Sequence, residues 1–161
     1  MAGGNPGPGP RMIVVGDRHS GFVRKMARLA REHEIEMARC DDVWMAVAET
    51  ARARGRRVLV TGTLEELARE SGRFFGIAAV RRVRCCCVLG ESAEPGRRGL
   101  LQALRSGVAV VSDADMPDVL DAWLNANGDH SPRSGLGSLS DDELRPTREE
   151  IMALLGHETD A

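Results

Sequence analysis

Six polar residues are spaced so that they could act on one ligand: Asp17, His19, Ser20, Thr61, Thr63 and Asp113. Each ends or closely follows a short apolar run, at 12–15, 58–60 or 108–111. If those runs are parallel strands, the six gather at the C-terminal edge of one sheet, where ligands of such folds bind. Gly16-Asp17-Arg18-His19-Ser20-Gly21 sets a carboxylate, an imidazole and a hydroxyl ahead of a helix, a place suited to an anion. No Gly-x-Gly-x-x-Gly or Walker pattern supports a nucleotide there. The plainer expectation is structural: Ser20 or Asp17 caps the helix, Gly21 eases the turn and His19 is solvated.

Cys85-Cys86-Cys87 raises the question of a metal. Successive strand residues point to opposite faces, so three in a row cannot reach one ion. No Cys-x-x-Cys or nearby His completes a ligand set, and small buried hydrophobes of a central strand are the expectation. His33, His130 and His157 read as surface residues, and no Ser/His/Asp triad can be assembled. Neither a metal nor a cofactor is expected, and the chain reads as a non-enzyme.

The elements that position these residues follow from the apolar pattern. Runs at 12–15, 35–38, 58–60, 85–89 and 108–111 read as strands. Between them, Phe22, Met26, Leu29 and Ala30 recur at helical spacing. Asp41 or Asp42 caps a helix holding Val43, Trp44, Val47 and Ala51, which Gly55 stops. Thr63-Leu64-Glu65-Glu66 is a capping box opening a helix to about Ser71, and 72–82 is ambiguous, with room for a further helical turn. Pro95-Gly96 leads a helix to Gly107, and Pro117 starts a last one bearing Val119, Leu120, Trp123 and Leu124. Non-alternating strands joined by helices give a doubly wound, five-stranded parallel α/β sheet, flavodoxin-like, in the order 2-1-3-4-5.

Composition bounds the rest. The 161 residues are 42% hydrophobic but 3% aromatic, so the core is aliphatic and stacking platforms for single-stranded nucleic acid are nearly absent. Net charge is −2, so no global field draws the chain to nucleic acid or a membrane. Charge is polarised: residues 1–111 carry 19 basic and 12 acidic side chains, and residues 112–161 carry 3 and 12. Of the basic residues only Lys25 is a lysine. No run approaches the ~18 apolar residues of a membrane span. Residues 1–10, rich in Gly and Pro, read as disordered and not as a signal peptide. Four Cys, three of them adjacent, suggest no disulfide framework and a cytoplasmic protein. The organisation expected is a domain over 11–127, a linker over 128–139 and an acidic amphipathic tail over 140–161.

Residues 11–125 resemble the receiver domain of bacterial response regulators. The resemblance rests on Leu100-Leu101-Gln102-Ala103-Leu104-Arg105-Ser106-Gly107-Val108, on Asp113 and Pro117 to Leu120, and on Val14-Val15-Gly16-Asp17. It implies a phosphorylatable Asp after the third strand, an acidic pair for Mg²⁺ after the first, a Ser/Thr after the fourth and a Lys after the fifth. Here the pair is Gly16-Asp17, the acceptor position falls at Thr61 or Gly62, the Ser/Thr position near Gly90, and the Lys position near Asp113. One carboxylate is a weak Mg²⁺ site, and Asp113 would repel a phosphoryl group. A pseudo-receiver is implied: the shape without the phosphorylation. The first loop is also similar to the Asp-x-His-x-x-Gly of cobalamin-binding domains, but one residue shorter.

In the tail, Ser140-Asp141-Asp142-Glu143 and Thr147-Arg148-Glu149-Glu150 are capping boxes, the second opening Ile151, Met152, Leu154 and Leu155. Residues 139–155 resemble the Leu-Ser-x-x-Glu-Ile-x-x-Leu-Leu peptide of flagellar motor switch proteins, split here by Pro146. That family of peptides binds the receiver face built by the fourth helix, fifth strand and fifth helix. Arg97, Arg98, Leu101 and Arg105 would form such a face, and Leu144, Ile151, Leu154 and Leu155 would be the anchors of a docking tail. The expectation is therefore a non-catalytic signalling or adaptor protein that binds a protein partner by its tail, by that face, or by both. Self-association through the tail is a further outcome. The rival expectation is a small-ligand or nucleotide-binding protein using the strand-end loops.

Overall fold

The computed structural model describes residues 9–81, 83–90 and 96–126. The chain divides into two units, Met1–Gly128 and Asp129–Ala161, and every described residue belongs to the first. The tail anchors Leu144, Ile151, Leu154 and Leu155 lie outside the described residues.

The first apolar run is strand β1 (Arg11–Val15), and Val60 lies in the middle of β3 (Val58–Thr63). The others are β2 (Glu36–Cys40), β4 (Arg84–Val88) and β5 (Ala109–Val111). All pairs are parallel, and the order is β2-β1-β3-β4-β5, the doubly wound arrangement expected. Helices α1 (Gly21–Glu32) and α2 (Val43–Arg52) follow the first two strands. A single turn α3 (Leu64–Leu67), a 3-10 turn (Glu70–Gly72) and α4 (Arg73–Val80) follow the third. Helix α5 (Arg97–Arg105) lies between β4 and β5, and α6 (Met116–Asn125) comes last.

The strands have two apolar faces because each face is covered. Ile13, Val15, Val60, Cys85 and Cys87 meet Val43 and Ala46 of α2, Phe74 and Phe75 of α4, and Ala103 of α5. Met12, Val14, Leu59, Cys86 and Val88 meet Met26 and Leu29 of α1 and Met116, Leu120 and Trp123 of α6. The cysteine triplet is split by the pleat, as a strand requires, and contributes to both layers. Arg57 pins the end of α6: it donates to the carbonyls of Trp123 and Leu124, and its guanidinium lies 5.5 Å from the Trp123 ring centroid.

Three expectations need correction. The second strand begins at Glu36 and runs to Cys40, because Glu34 takes a left-handed φ of 54° and the Ile35 amide returns to the Ala30 carbonyl. The third strand continues to Thr63, where it was expected to end at Val60. The helix opened by Thr63 ends at Leu67, not Ser71: Glu70, Ser71 and Gly72 carry φ of 55°, 59° and 67°, a left-handed turn that no right-handed helix can cross. The ambiguous stretch that follows holds helix α4.

Candidate functional site

Of the six candidates, Asp17, Ser20, Thr63 and Asp113 have side chains already engaged within the protein. Asp17 accepts from the His19 amide at 2.6 Å through Oδ1, closing the loop on itself. The Ser20 hydroxyl accepts from the Val23 amide at 3.1 Å and caps α1. Thr63 caps α3, its hydroxyl accepting from the Glu66 amide at 3.3 Å. Asp113 is bound from α1: Lys25 Nζ lies 2.6 Å from both its Oδ2 and its backbone oxygen. The lone lysine of the sequence thus ties α1 to the segment that follows β5. Among the described residues, no side-chain hydrogen bond joins Asp17, Thr61, Thr63 and Asp113 to one another.

Thr61 is placed differently from the other five. It is fully buried, paired in register with Val14 and Cys86, and its hydroxyl has no hydrogen-bond partner. It lies in the sheet and does not reach the strand-end loops. An orphaned buried hydroxyl costs about 1–3 kcal/mol. Thr61→Val keeps the shape and removes that cost, so it is expected to raise unfolding stability by about 1 kcal/mol, read as an increased urea midpoint.

Gly62, the other position at which the receiver resemblance would place an acceptor, is closed from above. A Cβ there would lie 3.0 Å from Leu67 Cγ and 3.0 Å from the Val15 carbonyl oxygen. Strand β3 carries no carboxylate, and its sequence is Val58-Leu59-Val60-Thr61-Gly62-Thr63. At the mouth of the first loop, Arg39 donates to the Gly16 carbonyl at 3.2 Å and pairs with Asp41, whose carboxyl it holds below the usual range by that hydrogen bond.

The concave feature of this edge lies one strand over. A cleft of about 560 Å³ opens between α3 and α5, lined by Thr63, Arg69, Ser71, Arg98, Gly99 and Gln102 among others. Of the six sequence candidates it includes Thr63 alone. Gln102 donates to the Ser71 carbonyl at 2.7 Å and ties α5 to the left-handed turn. Arg69 is held by Glu66 at 3.1 Å.

Helix α5 supplies the other candidate surface. Its single fully buried residue is Ala103. At 100° per residue, Arg97, Arg98, Leu101, Leu104 and Arg105 share one outward arc of about 120°. Leu101 is 46% and Leu104 56% exposed, and all three arginines are exposed. Arg97 already takes part in an interaction of its own. The helix flanks β5, an edge strand of the sheet. The structure therefore brings the four face residues expected from sequence together on one helix face. Leu104 was missed, although its spacing of three from Leu101 marks it.

No metal-ligating cluster of three or more His, Cys, Asp or Glu occurs among the described residues. No helix among them is long and apolar enough to cross a membrane. The chain matches no known protein-family pattern and no curated protein. A solved structure from Burkholderia pseudomallei, described as "Putative pilus assembly-related protein", is similar to it over 71% of this chain and 89% of its own, at 18% identity and a TM-score of 0.44. A likeness that distant carries no argument about function, and the flavodoxin-like assignment stands on the strand order alone.

Proposed function

We propose that this chain is a receiver-shaped docking domain that does not transfer phosphoryl groups, and that its α5–β5–α6 face binds an acidic, leucine-anchored helical segment of a protein partner. The observation that carries this reading is the outward arc of α5, where Leu101 and Leu104 stand half exposed between arginines. A helix laid on such a face presents apolar residues at i, i+3, i+4 and i+7. Acidic side chains beside them would meet the guanidinium groups, which set orientation and encounter rate more than affinity. Residues 140–155 of this sequence have that chemistry, with Asp141, Asp142, Glu143, Glu149 and Glu150 beside Leu144, Ile151, Leu154 and Leu155.

The test is fluorescence anisotropy of a labelled peptide of residues 138–158 titrated with the full chain. Saturable binding is expected, lost in Leu101→Asp/Leu104→Asp and lost again when the peptide carries Leu154→Asp/Leu155→Asp. Binding that ignores the α5 variant would sink the reading.

A second reading is favoured by the α3–α5 cleft, whose lining includes Arg69, Arg98 and Thr63 beside Glu65, around a space large enough for a small anion. A ligand that binds only the native state raises its stability. Millimolar pyrophosphate should then raise the melting temperature of the wild type but not of Arg98→Ala, and an unchanged wild type removes this alternative.

A further inference from the structure

We infer that α2 is a self-docking surface that pairs antiparallel with α2 of a second copy of this chain. An ordinary surface helix turns charged and polar residues to water. Helix α2 does not. Its outward arc holds Trp44, Met45, Ala48, Ala51 and Arg52, while Val43 and Ala46 face the sheet. Trp44 and Met45 are each 46% exposed. The acidic residue of the helix, Glu49, is drawn aside to Arg11 at 2.7 Å and pairs with Arg52 as well, so no carboxylate stands between Trp44, Met45 and Ala48.

The charges at the ends of this stripe are self-complementary. Asp41, paired with Arg39, and Asp42, whose Oδ1 caps the helix, precede it, and Arg52, paired with Glu49, and Arg54 close it, so the start is acidic and the end basic. A two-fold axis repeats the same patch on both partners, so residue i meets j and j meets i. Centred on Ala48, an antiparallel pair sets Met45 against Ala51 of the second copy, Trp44 against its Arg52, and Asp42 against its Arg54. The small side chain at the centre lets the two helices approach to about 8–10 Å. Trp44 gains a guanidinium over its ring, an attraction that strengthens as water leaves. A parallel pairing would instead oppose like charges at both ends. Along the sheet order, α2 packs over β1 and β2 whereas α5 packs over β5. A dimer through α2 therefore leaves both α5 faces open, and the inference does not depend on what those faces bind.

One helix pair buries less than a standard interface of about 1,600 Å², so the dissociation constant is expected at about 10–100 µM. Sedimentation velocity of the full chain across that range should show a monomer passing to a dimer. Ala48→Arg, at an exposed position that tolerates a long side chain, should raise the dissociation constant at least tenfold with circular dichroism and melting temperature unchanged. Trp44→Glu should do the same, should Ala48→Arg prove unfolded. Leu101→Asp/Leu104→Asp should leave the dimer intact, so that loss of peptide binding and loss of dimerisation are separable. A chain that stays monomeric across the range, or a dimer that survives both α2 variants or is broken by the α5 variant, overturns the inference.

Discussion

Gly62→Asp is expected to destabilise the domain by more than about 3 kcal/mol and to take up no phosphoryl group. The added Cβ meets Leu67 Cγ and the Val15 carbonyl oxygen, each at 3.0 Å. The carbonyl cannot retreat, because Val15 is paired in register with Gly62 across β1 and β3. Leu67 is fully buried, so moving it disturbs the core. Overpacking of this kind costs about 1–3 kcal/mol. A carboxylate confined under Leu67 adds a desolvation cost of several kcal/mol. Against a domain stability of about 5–15 kcal/mol, the sum approaches complete unfolding. Gly62→Ala isolates the steric part and should lose about 1–3 kcal/mol. Urea denaturation followed by circular dichroism measures both. A Gly62→Asp variant that folds normally and becomes phosphorylated by acetyl phosphate with Mg²⁺ would show that the strand end is an open receiver site.

The four thiols are expected to resist alkylation by iodoacetamide at pH 8, reacting more than 100-fold more slowly than in the urea-unfolded chain. All four are free and buried. Burial pushes the Cys40 thiol up to about 11 and the Cys86 thiol up to about 12. Cys85 is raised well above its ordinary value, first by its hydrogen bond to Cys87 and then by burial. The thiolate is the nucleophile, so both its population and its access are suppressed in the native state. Cys86 is further occupied by Met116, sulfur to sulfur at 3.8 Å. Fast labelling of any one thiol in the native chain would mean that the strand is open to solvent and would return the cysteine triplet to the list of chemical sites.

Much of the fold was legible because the decisive signals are local. The apolar runs of β1 and β3 lie on a sheet covered on both faces, so they lack alternation. Ser20, Asp42 and Thr63 act as caps where their side-chain chemistry says they should. The failures are non-local. Ser71-Gly72 marks a turn, but it does not announce that Glu70 and Ser71, with side chains, also take left-handed conformations; the turn's partner is Gln102, 31 residues from Ser71. Thr61 looked like a strand-end hydroxyl because β3 was read three residues short. Asp113 looked free because its cation, Lys25, lies 88 residues away. The α5 face was legible from helical spacing, whereas the α2 face was not: Trp44 and Met45 read as ordinary helix residues until the packing of Val43 and Ala46 fixed which side met the sheet.

The central claim is that the α5–β5–α6 face is the working surface of this domain. Its most direct test is a titration of the isotope-labelled full chain with the unlabelled peptide of residues 138–158, followed by amide chemical shifts. The predicted result is a contiguous set of perturbed amides in α5, β5 and the first turns of α6, with the loop at Asp17–Ser20 and helix α2 unmoved. Perturbations centred on α2 or on the first loop, or none at saturating peptide, would contradict it.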